Sequence, residues 1–388
     1  MKILIYKWKA YNYKDIIEGF RELGHDVSIL EYQLDNYDED EVFEALLRDK
    51  IMAEKYDAVF TVNYFAVIAN VCHDLHTDYL IWTCDNPLIS LYHKSAFYPE
   101  NHIFSFDKAN VLEFQQMGMR VHHLPLASNP HRISTMFPSD KAQYQHDISF
   151  VGSLYERNTY DKLEPKLPDY LRGYFDGVIR AQINVSGGNI IEPMLTSDIL
   201  AQLPQYFELK KSKDSLSNLE LIFGTTVLGF KVAAQQRIEY LSALALRHDL
   251  SLFSNSDASQ IPGCHYYGSV DYWTEMPRVF RESKINLNMT IPNIKSGIPL
   301  RVWDVLASRG FLMTTFTAEL LDYFEPERDL VIFESKEELL DKAAYYLKHD
   351  EKREQIAKNG FDKVLSLHPV SNRLVRLLDT FESERTTL

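Results

Sequence analysis

Three cysteines, Cys72, Cys84 and Cys264, are all that this chain of 388 residues contains. An odd number with no CxxC spacing argues against a disulfide framework or a thiolate zinc site and fits a reducing cytoplasm. Long apolar runs are also missing, and nothing approaches the ~18 residues that a membrane-spanning helix needs. The opening MKILIYKWKAYNYKD holds only a short apolar run bounded by charges, which reads as a first strand rather than a signal peptide. Basic charge is in deficit. With 41 Lys and Arg against 55 Asp and Glu the net charge is −14, which argues against a general nucleic-acid binder but leaves room for a local phosphate pocket. There is no HExxH, and the adjacent His122 and His123 fall on opposite faces of a strand, so no metal is expected. SGGN at 186–189 lacks GxGxxG spacing and reads as a loop.

The remaining composition, 45% hydrophobic and 25% charged, is that of a soluble globular protein. The length exceeds one ordinary core, so two domains are expected. Apolar segments at 2–6, 25–30, 58–62, 79–83, 102–106 and 121–126 alternate with helical patterns. The alternation restarts at DISFVGS (147–153) and resumes at 248–254, 265–270, 284–289, 311–315 and 330–335. Such spacing predicts α/β architecture: two doubly wound, Rossmann-like parallel sheets, with a ligand beyond the carboxyl ends of the strands, in the cleft between lobes. The stretch from about 155 to 247 reads as a helical insertion in the second half. The expected division is 1–145, then 146–369 containing that insertion, then a terminal helix at 370–388.

SGIPLRVWDVLASRGFLMTT (296–315) is the most informative stretch. Pro299 suits a first helical turn, and the preceding Lys295, Ser296 and Gly297 would present backbone N–H groups at the positive end of that helix, a seat for a diphosphate. Arg301, Asp304 and Ser308 share one face of an otherwise apolar helix. An arginine beside phosphates and a carboxylate under ribose hydroxyls need such a stripe; a plain Arg–Asp pair worth a few tenths of a kcal/mol explains the spacing equally well.

This stretch resembles the group 1 glycosyltransferase signature, and more particularly that of the CgeB-type, spore-maturation-protein-like branch. DISFVGSLYERN, QRIEYLSALALRHDLSLF, HYYGSVDYWTEMPRVFRESKINLNM and, in the first half, YLIWTCDNP extend the likeness over most of the chain. The resemblance implies a GT-B fold and metal-independent sugar transfer from a nucleotide-diphosphate sugar, with a UDP-sugar the first choice of donor. It implies that Asp304 holds the ribose, and that Ser296, Gly297, Arg301 and the Gly152–Ser153 turn face the diphosphate. It further puts Tyr267, Gly268 and Val270 near the base, Asn288 at a strand end facing the cleft, and the terminal helix back on the first lobe. Relatives often carry a donor-sugar glutamate eight residues before the ribose carboxylate. Here that position is Ser296.

In the first half, WTCDNP (82–87) places Asp85 after a strand and before Asn86-Pro87, a turn signal. A loop carboxylate there can act as base in an inverting enzyme or orient substrates in a retaining one, which the resemblance favours. It can also simply shape the turn. His73 and His76 sit at a helix end, where histidine is commonly structural. An epimerase or hydrolase on the same donor lobe, or a non-catalytic scaffold, is the alternative expectation. The acceptor class, whether glycan, protein or small molecule, is not written in the sequence.

Overall fold

Every apolar segment anticipated as a strand is one in the computed structural model, which describes residues 1–10, 12–137, 139 and 143–387. The strands are β1 (Lys2–Lys7), β2 (Asp26–Glu31), β3 (Ala58–Val62), β4 (Asp78–Trp82), β5 (Asn101–Ser105), β6 (Val121–His123), β7 (His146–Val151), β8 (Leu250–Phe253), β9 (His265–Gly268), β10 (Ser283–Asn288), β11 (Leu312–Thr315) and β12 (Val331–Phe333). Among the described residues they form two six-stranded sheets, β2-β1-β3-β4-β5-β6 and β12-β11-β10-β7-β8-β9, with parallel pairing throughout. Parallel strands are covered by helices on both faces, which is why the central ones read as unbroken apolar runs such as AVFTV. The fold expected from the sequence is the fold observed.

The chain divides into two compact units. One comprises Met1–Ser128, Lys210–Ser217 and His368–Leu388; the other comprises Asn129–Leu209 and Asn218–Leu367. In unit 1, strand order reverses between β1 and β3, which makes the loops after these strands a natural ligand-binding place. Lys210–Ser217 joins this unit through the Lys94–Asp214 ion pair (2.8 Å) and a Leu216 N–H donated to Tyr92 O (2.6 Å).

The terminal helix Val370–Thr387 also belongs to unit 1. It packs against helix Tyr13–Glu22, where a Cβ added at Gly19 would lie 2.6 Å from the Leu374 side chain. Its Glu384 faces His102 Nδ1 (2.5 Å), His122 Nε2 (2.6 Å) and Arg120 (3.6 Å), while His102 Nε2 faces Asp78 (3.0 Å) and Arg385 faces Asp78 (3.6 Å). Each ring nitrogen of buried His102 thus faces a carboxylate. Burial pushes the Glu384 pKa up, but the His102 and His122 bonds outweigh it and leave it below the ordinary glutamate value. A depressed carboxylate contributes stability above its unfolded pKa and loses it as pH falls through the folded pKa. Glu384→Gln should therefore be less stable than wild type at pH 7 and approach it toward pH 3 in paired thermal melts. An equal deficit at both pH values would contradict this.

In unit 2, helices fill the connection between β7 and β8, including Asp169–Ile183 and the continuous run from Leu219 to Ala245. That run contains a π-helical segment, Phe223–Gly229. At Gly229 a Cβ would meet Asn293 Oδ1 at 2.1 Å, so glycine there admits the loop that leads from β10 to helix Leu300–Ala307. From the other side, helix Asp350–Leu367 packs on the same helix at Gly360, where a Cβ would lie 2.3 Å from Asp329 O and 2.8 Å from Leu306. Two glycines thus fix the place of the segment singled out in the sequence. Among the described residues no helix is long and apolar enough to cross a membrane, and no group of three or more His, Cys, Asp or Glu could hold a metal ion.

Candidate functional site

Strand order in unit 2 reverses between β7 and β10, so the loops after these two strands mark the ligand-binding edge of the sheet. Gly152 and Ser153 follow β7; Met289 and Thr290 follow β10. Arg237, from helix Phe230–Ala245, ties the two loops together: Nη1 donates to Ser153 O (2.7 Å) and Nη2 to Met289 O (2.6 Å). Its guanidinium lies 4.9 Å from the Tyr155 ring centre and 5.4 Å from that of Phe150. Among the described residues it has no carboxylate partner, and its Nε is buried without a hydrogen bond. Burial lowers its pKa; Tyr155 opposes the shift and the nearby Arg301 charge adds to it. Two guanidinium groups are therefore close enough to repel at the switch point, and the more enclosed one lacks a counter-charge.

Arg301 and Asp304 lie on helix Leu300–Ala307, as the sequence indicated. Arg301 stands over the Phe280 ring (5.3 Å), contacts the Met276 sulfur, and faces Asp304 Oδ2 at 3.6 Å. Asp304 is only 3% exposed and accepts a hydrogen bond from the Tyr272 hydroxyl at 2.9 Å. The pair is thus partly enclosed, not a surface ion pair. Pro299, the N-cap, has no side chain to bond the first N–H groups of this helix.

The loop before this helix is built from within unit 2. Lys295 pairs with Glu192 of the helical insertion (2.9 Å), and Gly297 is buried. Ser296 Oγ donates to Glu319 Oε1 (2.8 Å), and Glu319 N–H donates back to Ser296 O (3.1 Å). Glu319 is 2% exposed. A buried carboxylate therefore stands against the serine that occupies the family's glutamate position, supplied from 23 residues downstream.

Asn288 ends β10 with its amide bonded to Thr290 and Thr314, an internal role in this structure. Gly268 ends the edge strand β9 and Val270 follows it; Gly268 O accepts from Ser254 N–H (2.8 Å). Tyr267 belongs to a separate ring cluster, stacked on Phe253 (4.8 Å) and edge-on to His146 (5.1 Å), a residue at the amino end of β7. The structure brings Gly152, Ser153 and Arg301 together around Arg237. It does not bring Tyr267 to them.

In unit 1, Asp85 follows β4 and a cis peptide joins Asn86 to Pro87. Asn63, after β3, holds the loop: its Nδ2 donates to the Asp85 carboxylate (2.7 Å), and its Oδ1 accepts from the N–H of Cys84 (2.8 Å) and of Asp85 (3.3 Å). Asn63 has φ +64°, a conformation asparagine tolerates better than most residues. Asp85 is exposed as a residue, yet the protein around its carboxyl displaces enough water to raise its pKa, with the Asn63 bond pulling the other way. His73 and His76 both face Glu100 (2.7 and 3.4 Å) at their helix end. Sequence reasoning missed Arg237, Tyr272, Glu319 and Asn63. Of these, Arg237 and Tyr272 fall within stretches that carry the family resemblance, but no spacing marks their roles.

Residues 237–379 match the family model described as Glycosyl transferase-like. No curated protein matches the chain. Among solved structures it is similar to HepE from Anabaena in complex with UDP and glucose (TM-score 0.58, 10% identity, 99% of this chain and 100% of that one). It is similar also to a glycosyltransferase from Rickettsia africae ESF-5 (0.56, 10%, 98% of each chain) and to sucrose-phosphate synthase from Thermosynechococcus elongatus (0.55, 10%, 100% of each). At such identities the structural likeness speaks to the fold, and the matched domain speaks to the chemistry. The fold is thus that of the GT-B glycosyltransferases, and residues 237–379 carry a glycosyltransferase-like domain.

Proposed function

We propose that this protein transfers the sugar of a UDP-sugar to an acceptor hydroxyl without a metal ion, as a glycosyltransferase of the CgeB-type branch. The observation that carries the reading is Arg237: an enclosed guanidinium without a carboxylate, beside Arg301, at the switch point of unit 2. A part-buried cation that has carbonyl partners but no counter-charge is costly, and a diphosphate satisfies both arginines at once. The Gly152–Ser153 turn, the backbone of Ser296 and Gly297, and Lys295 complete the diphosphate seat at the helix end. With these cations present, the charge of the leaving diphosphate needs no divalent ion. Asp304 takes the ribose by exchanging the Tyr272 hydroxyl for a ribose hydroxyl, one O–H···O⁻ bond for another. Gly268, Val270 and Tyr267 serve the base, and Asn288 keeps the end of β10 in place. UDP is preferred because HepE, of like fold, is solved with it.

Unit 1 presents the acceptor. Ionised Asp85 accepts the hydrogen bond of the attacking hydroxyl, whose oxygen bonds to the sugar C1 as the C1–phosphate oxygen bond breaks. The group 1 resemblance favours retention, in which the proton passes to the departing phosphate oxygen. The test is UDP release from UDP-sugars in the presence of EDTA, with the anomeric form of the product read by proton NMR. Full activity in EDTA supports the reading; activity only with an added divalent cation contradicts it.

A further inference from the structure

At the carboxyl ends of β1 and β2, within unit 1, a pocket of about 690 Å³ opens that none of the residues above explains. That volume is in the usual range of small-molecule sites. Its walls are aromatic: Tyr6, Trp8, Tyr32 and Tyr37, with Lys7 and Lys9 on the same lining. The rings are held by the fold. Trp8 Nε1 donates to Val62 O (2.7 Å) and the Tyr6 hydroxyl to Tyr32 O (3.0 Å). Tyr37 meets Phe65 edge-on at 5.4 Å and remains 51% exposed.

Charge narrows the ligand. Lys7 is neutralised by Glu31 at 2.6 Å. Asp40 lies 3.5 Å from the Tyr32 hydroxyl, and both Asp40 and Asp35 act electrostatically on that ring. A phosphate or carboxylate entering here would meet these carboxylates, and only exposed Lys9 would oppose them. A neutral, hydroxyl-rich ligand meets no such penalty: sugar C–H faces lie against aromatic rings, and the Glu31 carboxylate and Gln33 amide on the lining take hydroxyl groups.

The pocket is tied to the candidate catalytic loop. Trp8 bonds the carbonyl of Val62, and the next residue, Asn63, holds the Asp85 carboxylate. Wall and carboxylate thus share the carboxyl end of β3. We infer that this pocket seats a neutral saccharide acceptor, with Trp8 and Tyr37 as its stacking surfaces. The inference rests on the reading of unit 1 as the acceptor unit.

The experiment is an array of immobilised neutral and acidic glycans probed with the full chain, with UDP affinity measured alongside by calorimetry. Wild type is expected to retain neutral glycans. Tyr37→Ala and Trp8→Ala are expected to lose at least tenfold in glycan affinity with UDP affinity within twofold. Trp8→Phe, which keeps a ring, should stay within about threefold. UDP binding with no neutral glycan retained, retention of acidic glycans alone, or unchanged glycan binding in both alanine variants overturns the acceptor assignment while leaving the donor site intact. Failure to bind either ligand overturns both.

Discussion

Arg237→Met is expected to lower UDP affinity by about 100-fold while moving the thermal midpoint of the ligand-free protein by no more than a few degrees. The binding loss follows from charge. A hydrogen bond to a charged group is worth about 1.5–3 kcal/mol, and 100-fold corresponds to about 2.7 kcal/mol. The small stability change follows from opposing contributions. Ser153 O and Met289 O lose their donors, and the Tyr155 and Phe150 rings lose a cation. Against this, the protein no longer encloses a guanidinium that has no carboxylate partner and that Arg301 repels. Methionine retains much of the apolar stem. A variant that binds UDP as wild type does would show that Arg237 merely staples two loops. One that fails to fold would show that the staple dominates.

Asp85→Asn is expected to reduce transfer about 10²–10³-fold with UDP affinity unchanged, since a positioned base or acceptor contributes on this scale. The pH profile carries more information. Asp85 must be ionised to accept the acceptor's proton or hydrogen bond. Its pKa is raised by its enclosed surroundings, so the acidic limb of the rate profile should lie above the ordinary aspartate value of 3.8. The Asn63 donor stabilises the anion; Asn63→Gly tolerates the positive φ and removes that donor, so it should move the limb to higher pH. Asp85→Asn should abolish the limb. Transfer within threefold of wild type in Asp85→Asn would return the residue to shaping its turn.

How much of this was legible in the sequence depends on how far apart the partners lie. Buried parallel strands announce themselves as short apolar runs, so KILIY and KINLNM could be placed without coordinates. Ser296, Gly297, Arg301 and Asp304 occupy one loop and helix, and local spacing was enough to group them. Arg237 meets Ser153 across 84 positions and a helical insertion, and no periodicity encodes that. Glu319 reaches Ser296 only because β11 intervenes and returns the chain to the same edge. Tyr267 follows the family pattern in sequence, and the contacts of its ring with Phe253 and His146 are likewise encoded by no local spacing. The partner of His122, Glu384, is 262 residues away, so no local spacing pointed to it.

The most direct measurement of the central claim is calorimetric titration of UDP, GDP, ADP and dTDP into wild type, Asp304→Asn and Tyr272→Phe. The account predicts that wild type binds UDP most tightly, that Asp304→Asn weakens it at least tenfold, and that Tyr272→Phe, which only removes the hydroxyl the ribose displaces, binds as well as wild type or better. No binding of any diphosphate to wild type, or equal binding by wild type and Asp304→Asn, would contradict it.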